Sequence, residues 1–525
     1  MKESNISQLN AKQMETLLAK QAEEMAKQAE ELTALKNQLS WFQRQLFGRK
    51  SEKQLHVDPQ QASLFEKKPE PSVDQDNGIT IPSHKRRNKT QRSGDEVNDT
   101  GLRFDESVPR KIIELSAPEL EGEEADNYEV IDYKETTRLA QRPGSYVVLV
   151  YRRPVVRHKK EQTLSNISAP ANVLEGCYAD VSLLAGLMVD KAVYHLPLYR
   201  QHQRLLDSGI KLSRATLINY IQKAIGLLEP IYQAQRDHIL QSKVLAMDEV
   251  PMKAGRKSKG KMQQTYFWPI YGEEDEVAFT WSKSRGTQFA VDQLKGFSGT
   301  LLSDGYTAYT KAVKQLNEHD EKVIHATCWA HTRRYFEQAL DIEPQLAQHA
   351  LDLIAQLYQQ EKHIRNAKLP ADKALEYRQK NSEPIITQFF EWVYEQRQNP
   401  EYLPSNKLLK ALNYAGERCD ELKVFLTNPH LQIDTNHLER ALRVIPMGRK
   451  NFLFCWTELG AEQLGVLQSL MVTCRLHNIN PYHYLVDVLQ RVAVHPAADV
   501  AELTPLQWKK KFAENFLTSD VAEMG

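Results

Sequence analysis

Residues 244–249 read Val244-Leu245-Ala246-Met247-Asp248-Glu249, and residues 300–306 read Thr300-Leu301-Leu302-Ser303-Asp304-Gly305-Tyr306. Each is a short apolar run that stops on an acid. A run of this length bounded by turn chemistry has the composition of a strand buried on both faces. An acid at the end of such a strand stands at the rim of a sheet, where the chain leaves the core. Gly305 allows a sharp turn directly after Asp304. Asp is also a common turn and capping residue, so each position alone has an ordinary reading.

The neighbouring sequence supplies a context for the pair. Residues 264–271 (QTYFWPIY) and 277–281 (VAFTW) have strand composition, and 323–326 (VIHA) is a further buried strand. Residues 287–294 and 329–340 read as helices. Between the first two strands, residues 253–261 (KAGRKSKGK) read as a basic hairpin loop. The order is three strands, helix, strand, helix, strand, helix, which is the ribonuclease-H-like arrangement. In it, acids at the ends of adjacent strands converge without being close in sequence. A third acid comes from residues 431–454, LQIDTNHLERALRVIPMGRKNFLF. Asp434 or Asn436 can cap a helix there, and Asn436, Glu439, Arg440 and Arg443 share its polar side. Taken alone, Glu439 reads better as an ion-pair partner of Arg443 one turn on. The long interval between Asp304 and Glu439 is mainly helical, as in LAQHALDLIAQLYQQEKHIR, and reads as a helical insertion.

A chain of 525 residues is too long for one core. Lys plus Arg and Asp plus Glu each total 68, so contacts with nucleic acid must come from local basic patches. Five cysteines with no C-x-x-C pair argue against a disulfide framework and fit a reducing compartment. No apolar run approaches the roughly 18 residues of a membrane helix, and the N-terminus lacks a signal-like segment. The expectation is a cytoplasmic, nucleoid-associated protein with no membrane partner.

Eight segments are expected. Residues 1–48 form a coiled-coil helix, from the seven-residue recurrence of Leu18, Met25, Leu32, Leu39 and Leu46, although Gln21 and Gln28 interrupt the seam. Residues 49–100 form a flexible linker carrying a basic run around Lys85–Arg87. Residues 101–170 make a small β module with a basic edge at Arg152, Arg153, Arg157, Lys159 and Lys160. Residues 171–240 are helical; a break at Asp207-Ser208-Gly209 followed by a Ser213-capped helix reads as a helix-turn-helix or an ordinary helical hairpin. Arg214 and Asn219 would then reach base edges. The ribonuclease-H-like domain takes 241–341 and 431–480, split by the insertion at 342–430, and 481–525 is a helical tail.

Four motifs carry a family resemblance: Asp248-Glu249; Ser303-Asp304-Gly305-Tyr306; Cys328-Trp329-Ala330-His331 with Arg333, Arg334 and Phe336; and Asn436-x-x-Glu439-Arg440-Ala441-Leu442-Arg443 followed by Gly448-Arg449-Lys450-Asn451-Phe452-Leu453-Phe454. Together with Leu46-Phe47-Gly48-Arg49-Lys50-Ser51-Glu52-Lys53 they resemble the bacterial insertion-sequence transposases of the IS sixty-six family, C-type subunit, along nearly the whole chain. The resemblance implies a DDE enzyme that cuts and joins DNA, with Asp248, Asp304 and Glu439 as catalytic residues and metal ligands. Carboxylates suit two Mg²⁺ or Mn²⁺ ions. Asp248 would bridge them, and Asp304 and Glu439 would each complete one site. Glu249 is left out, because in a continuing strand it points to the opposite face.

Lys257, Lys259, Lys261, Arg333, Arg334, Arg440, Arg443, Arg449 and Lys450 are the expected phosphate contacts. Arg333 and Arg334 have surface ion pairing as their ordinary alternative. Relatives often carry a cysteine-rich zinc-ribbon-like module, but residues 101–170 hold no cysteine, so no zinc is expected there. Cys328 and His331 are spaced like metal ligands, yet a buried structural Cys is favoured. Expected partners are double-stranded DNA (element ends and target), further copies of the chain, and small accessory proteins of the same element. Two alternatives stay open: a catalytically silent DNA-binding derivative, and a ribonuclease-H-like nuclease or resolvase that cuts without joining.

Overall fold

A computed structural model of the chain describes residues 103–104 and 108–522, except 122–124, 143 and 320. The coiled-coil and linker expectations for 1–48 and 49–100 lie outside the described residues. What is described is a mixed α+β protein built around a six-stranded sheet. Across the sheet the order is Val277–Ser282, Lys261–Tyr271, Val244–Met247, Gly299–Ser303, Val323–Thr327, and Val250–Ser258 also pairs with Lys261–Tyr271. Pairing is antiparallel around Lys261–Tyr271 and parallel from Val244–Met247 through Gly299–Ser303 to Val323–Thr327.

The two runs that opened the sequence reading are buried on both faces. Leu245, Met247 and Leu301 join one hydrophobic cluster, whose helices include Arg214–Ile239 and Glu458–Leu476. Val244, Ala246 and Leu302 join the other, with Trp329–Ala339, Pro344–Ala367 and Lys407–Glu417. Strand alternation thus deals successive residues to opposite cores, which is why the runs are continuously apolar. The outer edge of Val277–Ser282 is sealed by helix side chains. Val277 and Phe279 N–H donate to Thr473 Oγ1 (3.2 Å) and Ser469 Oγ (2.8 Å), and Gln235 Nε2 donates to the Val277 carbonyl at 2.9 Å. An unpaired edge is thereby covered.

Four strands, not three, precede the first helix of the sheet region. The basic run expected to be a loop is mostly strand: Val250–Ser258 and Lys261–Tyr271 form a two-stranded ribbon with Lys259-Gly260 at its tip, Gly260 taking φ of 73°. Met252 and Ala254 are buried while Pro251 and Lys253 are exposed, a period-two pattern hidden by the lysines. The strands Val244–Met247 and Val250–Ser258 pair with the same partner in one continuous register, Met247 opposite Ile270 and Val250 opposite Phe267. Asp248 therefore stands opposite Pro269. Proline has no N–H to donate, so the ladder opens at Asp248-Glu249.

The helices Leu198–Asp207 and Arg214–Ile239 flank the expected turn, and Ser213 Oγ accepts the Thr216 N–H at 3.1 Å. Between them the short strand Ile210–Lys211 pairs with Arg103–Phe104. The second helix runs for 26 residues, and Tyr232 Oη lies 3.0 Å from Thr280 Oγ1 on the sheet. Ahead of these helices, Tyr128–Arg142 and Ser145–His158 form a long antiparallel hairpin. Its expected basic edge is largely satisfied within the module. Arg153 is buried and donates to the Ile167 carbonyl and Thr136 Oγ1. Arg152 and Arg157 pair across the strands with Glu135 and Glu129, and Lys159 Nζ donates to the Asp126 carbonyl at 2.8 Å. Acids directly opposite Arg152 and Arg157 on the neighbouring strand account for two of these contacts. Among the described residues no helix is long and apolar enough to cross a membrane.

Candidate active site

The parallel register sets Leu302 beside Ala246, so Asp304 and Asp248 occupy matching places two residues further along adjacent strands. Asp248, Glu249 and Asp304 each offer a carboxylate oxygen, and these atoms lie within 4.8 Å of one another. Three negative groups this close repel. Burial, then Glu249, then Asp304 push the Asp248 carboxyl up to about 8, with Glu439 adding to the same effect. Glu249 is also raised, chiefly by burial.

The sequence reading sent Glu249 to the opposite face and left it out of the site. Its partner Tyr309 does pack in the core that Leu245 and Met247 join, yet its carboxylate still lies with those of Asp248 and Asp304 beyond the strand end. Glu249 is also the most firmly held of the three: Arg285 pairs with it and the buried Tyr309 hydroxyl donates to it. The only sequence signal was its position next to Asp248. Arg285 and Tyr309 had none, because nothing local marks a residue that reaches across a sheet.

Asp304 is fixed by its turn. Its Oδ1 accepts the Tyr306 N–H at 2.9 Å, and its backbone carbonyl accepts the Tyr414 hydroxyl. Gly305 has φ of 81°, and a Cβ there would come within 2.7 Å of both Tyr414 Oη and Arg418 Nε. Both the backbone conformation and the close approach call for glycine. His325, one strand over, bonds Ser303 Oγ at 2.8 Å. Burial, then Arg418, hold its imidazole down at about 4, so it is neutral.

Glu439 arrives on the helix Asn436–Leu442. Its cationic neighbour is Arg334 (3.7 Å), with the His331 imidazole, held down chiefly by burial, at 3.8 Å; both lie on Trp329–Ala339, and Arg443 is not the partner. Both distances exceed a hydrogen bond, and Glu439 Oε1 is buried with no hydrogen-bond partner. Cys328 anchors the helix start: its Sγ accepts from the N–H and Oγ1 of Thr435, each at 3.3 Å, and the Trp329 N–H donates to the Ile433 carbonyl at 2.9 Å. Asp434 accepts the Asn436 N–H at 3.1 Å.

The expected phosphate contacts divide. Lys257, Lys259 and Lys261 are exposed at the ribbon tip, and Arg214 and Asn219 are exposed at the start of their helix. Arg440, Arg443 and Lys450 are exposed as well, Arg440 at the rim of a cavity of about 800 Å³ beneath the insertion. Arg333 is engaged with Glu337 at 2.7 Å, and Arg449 donates to the Pro251 carbonyl at 2.6 Å.

The family model described as Transposase IS66 family matches residues 176–463, more than half of the chain. The chain belongs to this transposase family. Models described as IS66 C-terminal element and as Transposase C of IS166 homeodomain match residues 469–506 and 34–145. Two Sinorhizobium fredii proteins, uncharacterized proteins y4qI and y4hP, are similar, at 29% identity over 76% of each chain and 28% over 72% of this chain and 71% of the relative. Membership in a DDE transposase family, with a homeodomain-type segment, points to DNA as partner and to divalent metal use.

The donor set fits such a metal. It offers hard carboxylate oxygens, mutual repulsion that a cation would relieve, and an orphaned buried oxygen on Glu439.

Proposed function

We propose that this transposase cuts and joins DNA at a ribonuclease-H-like centre formed by Asp248, Asp304 and Glu439. The observation that carries the reading is the convergence of strand-end carboxylates, with Asp248 driven far above the usual carboxylate range by burial and then by the charges of its neighbours. Asp248, Asp304 and Glu439 would hold divalent ions such as Mg²⁺ or Mn²⁺, which when bound would supply activation of the hydroxyl nucleophile and stabilisation of the leaving oxygen.

The chain's own residues do the rest. Arg285 and Tyr309 hold Glu249 against the cluster, fixing the acidic rim on one side. Arg334 and His331 set the orientation of Glu439 on the other. The exposed ribbon lysines, with Arg440, Arg443 and Lys450, bind DNA phosphates, and the helix beginning at Arg214 reads base edges. Residues 1–48 bring copies of the chain together, so that two ends are held at once.

Asp304→Asn tests the centre. With duplexes bearing the element's own termini, cleavage and strand transfer should fall at least about a thousandfold, as loss of several kcal/mol of metal-assisted stabilisation requires. Gel-shift affinity for the same ends should stay within about threefold. A parallel loss of binding and cleavage would refute the assignment.

A further inference from the structure

Past the catalytic helix, the chain mounts a large aromatic ring in solvent. Trp456 is 72% exposed, Leu453 63% and Leu459 52%, while Cys455 between them is buried. An isolated exposed Leu needs no explanation, but a cluster headed by an exposed Trp does.

The mount is rigid. The Cys455 N–H donates to the Lys253 carbonyl at 2.9 Å, and the Gly255 N–H donates back to the Cys455 carbonyl at 3.2 Å. These bonds stitch the segment to the edge of the basic ribbon. The ribbon makes room by a register shift between Lys253 and Arg256, where Gly255 takes φ of 72°. A Cβ on Gly255 would lie 3.1 Å from Glu458 Cγ. On the other side of the ring, Thr457 caps the helix Glu458–Leu476, accepting the Gly460 N–H at 3.0 Å. Phe454 braces the indole edge-on, with ring centroids 5.0 Å apart. Leu453 holds a non-glycine φ of 64°, so the chain accepts local strain to present this segment.

The surroundings choose the occupant. Arg256, Lys257, Lys259 and Lys261 are exposed on the ribbon to which the Trp456 segment is bonded, and Lys450 is exposed on the preceding helix. The strand bearing Lys253 begins at Val250, directly after the acidic cluster. Basic side chains tracking a backbone beside a rigid aromatic face is the combination that holds single-stranded nucleic acid, phosphates on the cations and a base on the ring.

Resting on the DNA-cutting reading above, we propose that Trp456 stacks an unpaired base of the DNA as the strand passes from the ribbon to the carboxylates. Phe454 fixes the ring, and the ribbon lysines hold the flanking phosphates. The site is indifferent to base identity, since every base has a π-face, and it distinguishes opened DNA from paired DNA.

The test uses the full-length protein in EDTA, so that no cleavage intervenes. Two probes are compared: a 20-base-pair duplex with a five-nucleotide single-stranded flank carrying 2-aminopurine, and the same duplex fully paired. The wild type should bind the flanked probe more tightly and quench the 2-aminopurine. Trp456→Ala should lose the quench and weaken flanked binding by about 5- to 150-fold, the span of one base–aromatic stack. Paired-duplex affinity and the melting temperature should hold, and Trp456→Phe should keep most of the preference. Undiminished quench and affinity in Trp456→Ala would overturn the proposal. So would a drop in sedimentation mass, which would assign the patch to a second copy of the chain. Failure of the wild type to bind either probe would instead strike the DNA-cutting reading itself.

Discussion

Asp304 and Glu439, two members of the proposed centre, are held in place by different means. Asp304 is placed by the sheet: parallel register, a glycine turn and a hydroxyl from Tyr414 leave its backbone one position to occupy. Glu439 is placed by a seven-residue helix whose start hangs on the Cys328 thiol, and its Oε1 touches no donor within hydrogen-bond range. Strand ends bring carboxylates together by the geometry of the ladder, whereas a helix brings one only as well as its anchors allow. The sheet side of the centre is thus preorganised, and the helix side is the adjustable one.

The largest effect should come from the sheet side. Asp248→Asn removes the most strongly perturbed carboxylate and should abolish strand transfer, by at least about a thousandfold. The same change removes a carboxylate that burial, and then repulsion from Glu249 and Asp304, disfavours in its charged form. In metal-free buffer the variant should therefore melt at a higher temperature than the wild type. A lower melting temperature would mean that Asp248 makes a stabilising contact and that the cluster stores no repulsion.

The helix side should respond more gently. Cys328→Ala removes the acceptor for Thr435 and frees the start of the Glu439 helix. Loss of an orienting partner of this kind typically costs about 10- to 100-fold in activity. The expected outcome is a fall in turnover within that range with end binding unchanged, and Cys328→Ser should retain more activity because its oxygen still accepts. If Cys328→Ala equals Asp248→Asn in severity, the two sides are equally rigid and the contrast fails.

This contrast also governs what was legible in the sequence. Asp248 and Asp304 were readable because continuous apolar runs announce buried strands and their ends. The family motif, not local pattern, singled out Glu439, since an acid on a polar helix face looks like any ion-pair partner. Glu249 was left out because alternation sends it to the other face, and alternation does not tell that its carboxylate still lies beside those of Asp248 and Asp304 at the strand end. The strand Val250–Ser258 was missed because lysines masked its alternation. The basic edge at 152–160 was read without its partners: Glu129 and Glu135 lie on the opposite strand of the hairpin, and only register reveals that they face Arg157 and Arg152.

The smallest effect separates two adjacent arginines. Arg333 and Arg334 share a helix and a charge, and in sequence they are indistinguishable. In the fold, Arg333 pairs with Glu337 one turn along, both half in solvent, at 2.7 Å. An exposed pair of that spacing contributes about 0.3–0.5 kcal/mol. Arg334 points at Glu439 from 3.7 Å. Arg333→Ala should therefore change unfolding free energy by no more than about 0.5 kcal/mol and leave strand transfer within about twofold, which is what that energy converts to. Arg334→Ala should lower strand transfer more than its neighbour does, because it removes a charge that orients the adjustable carboxylate, while stability moves little. Denaturant titration and strand-transfer assays on the two variants read both quantities. Equal activity losses would mean that both arginines contact phosphate directly, and Glu439 would then owe its orientation to Cys328 and His331 alone.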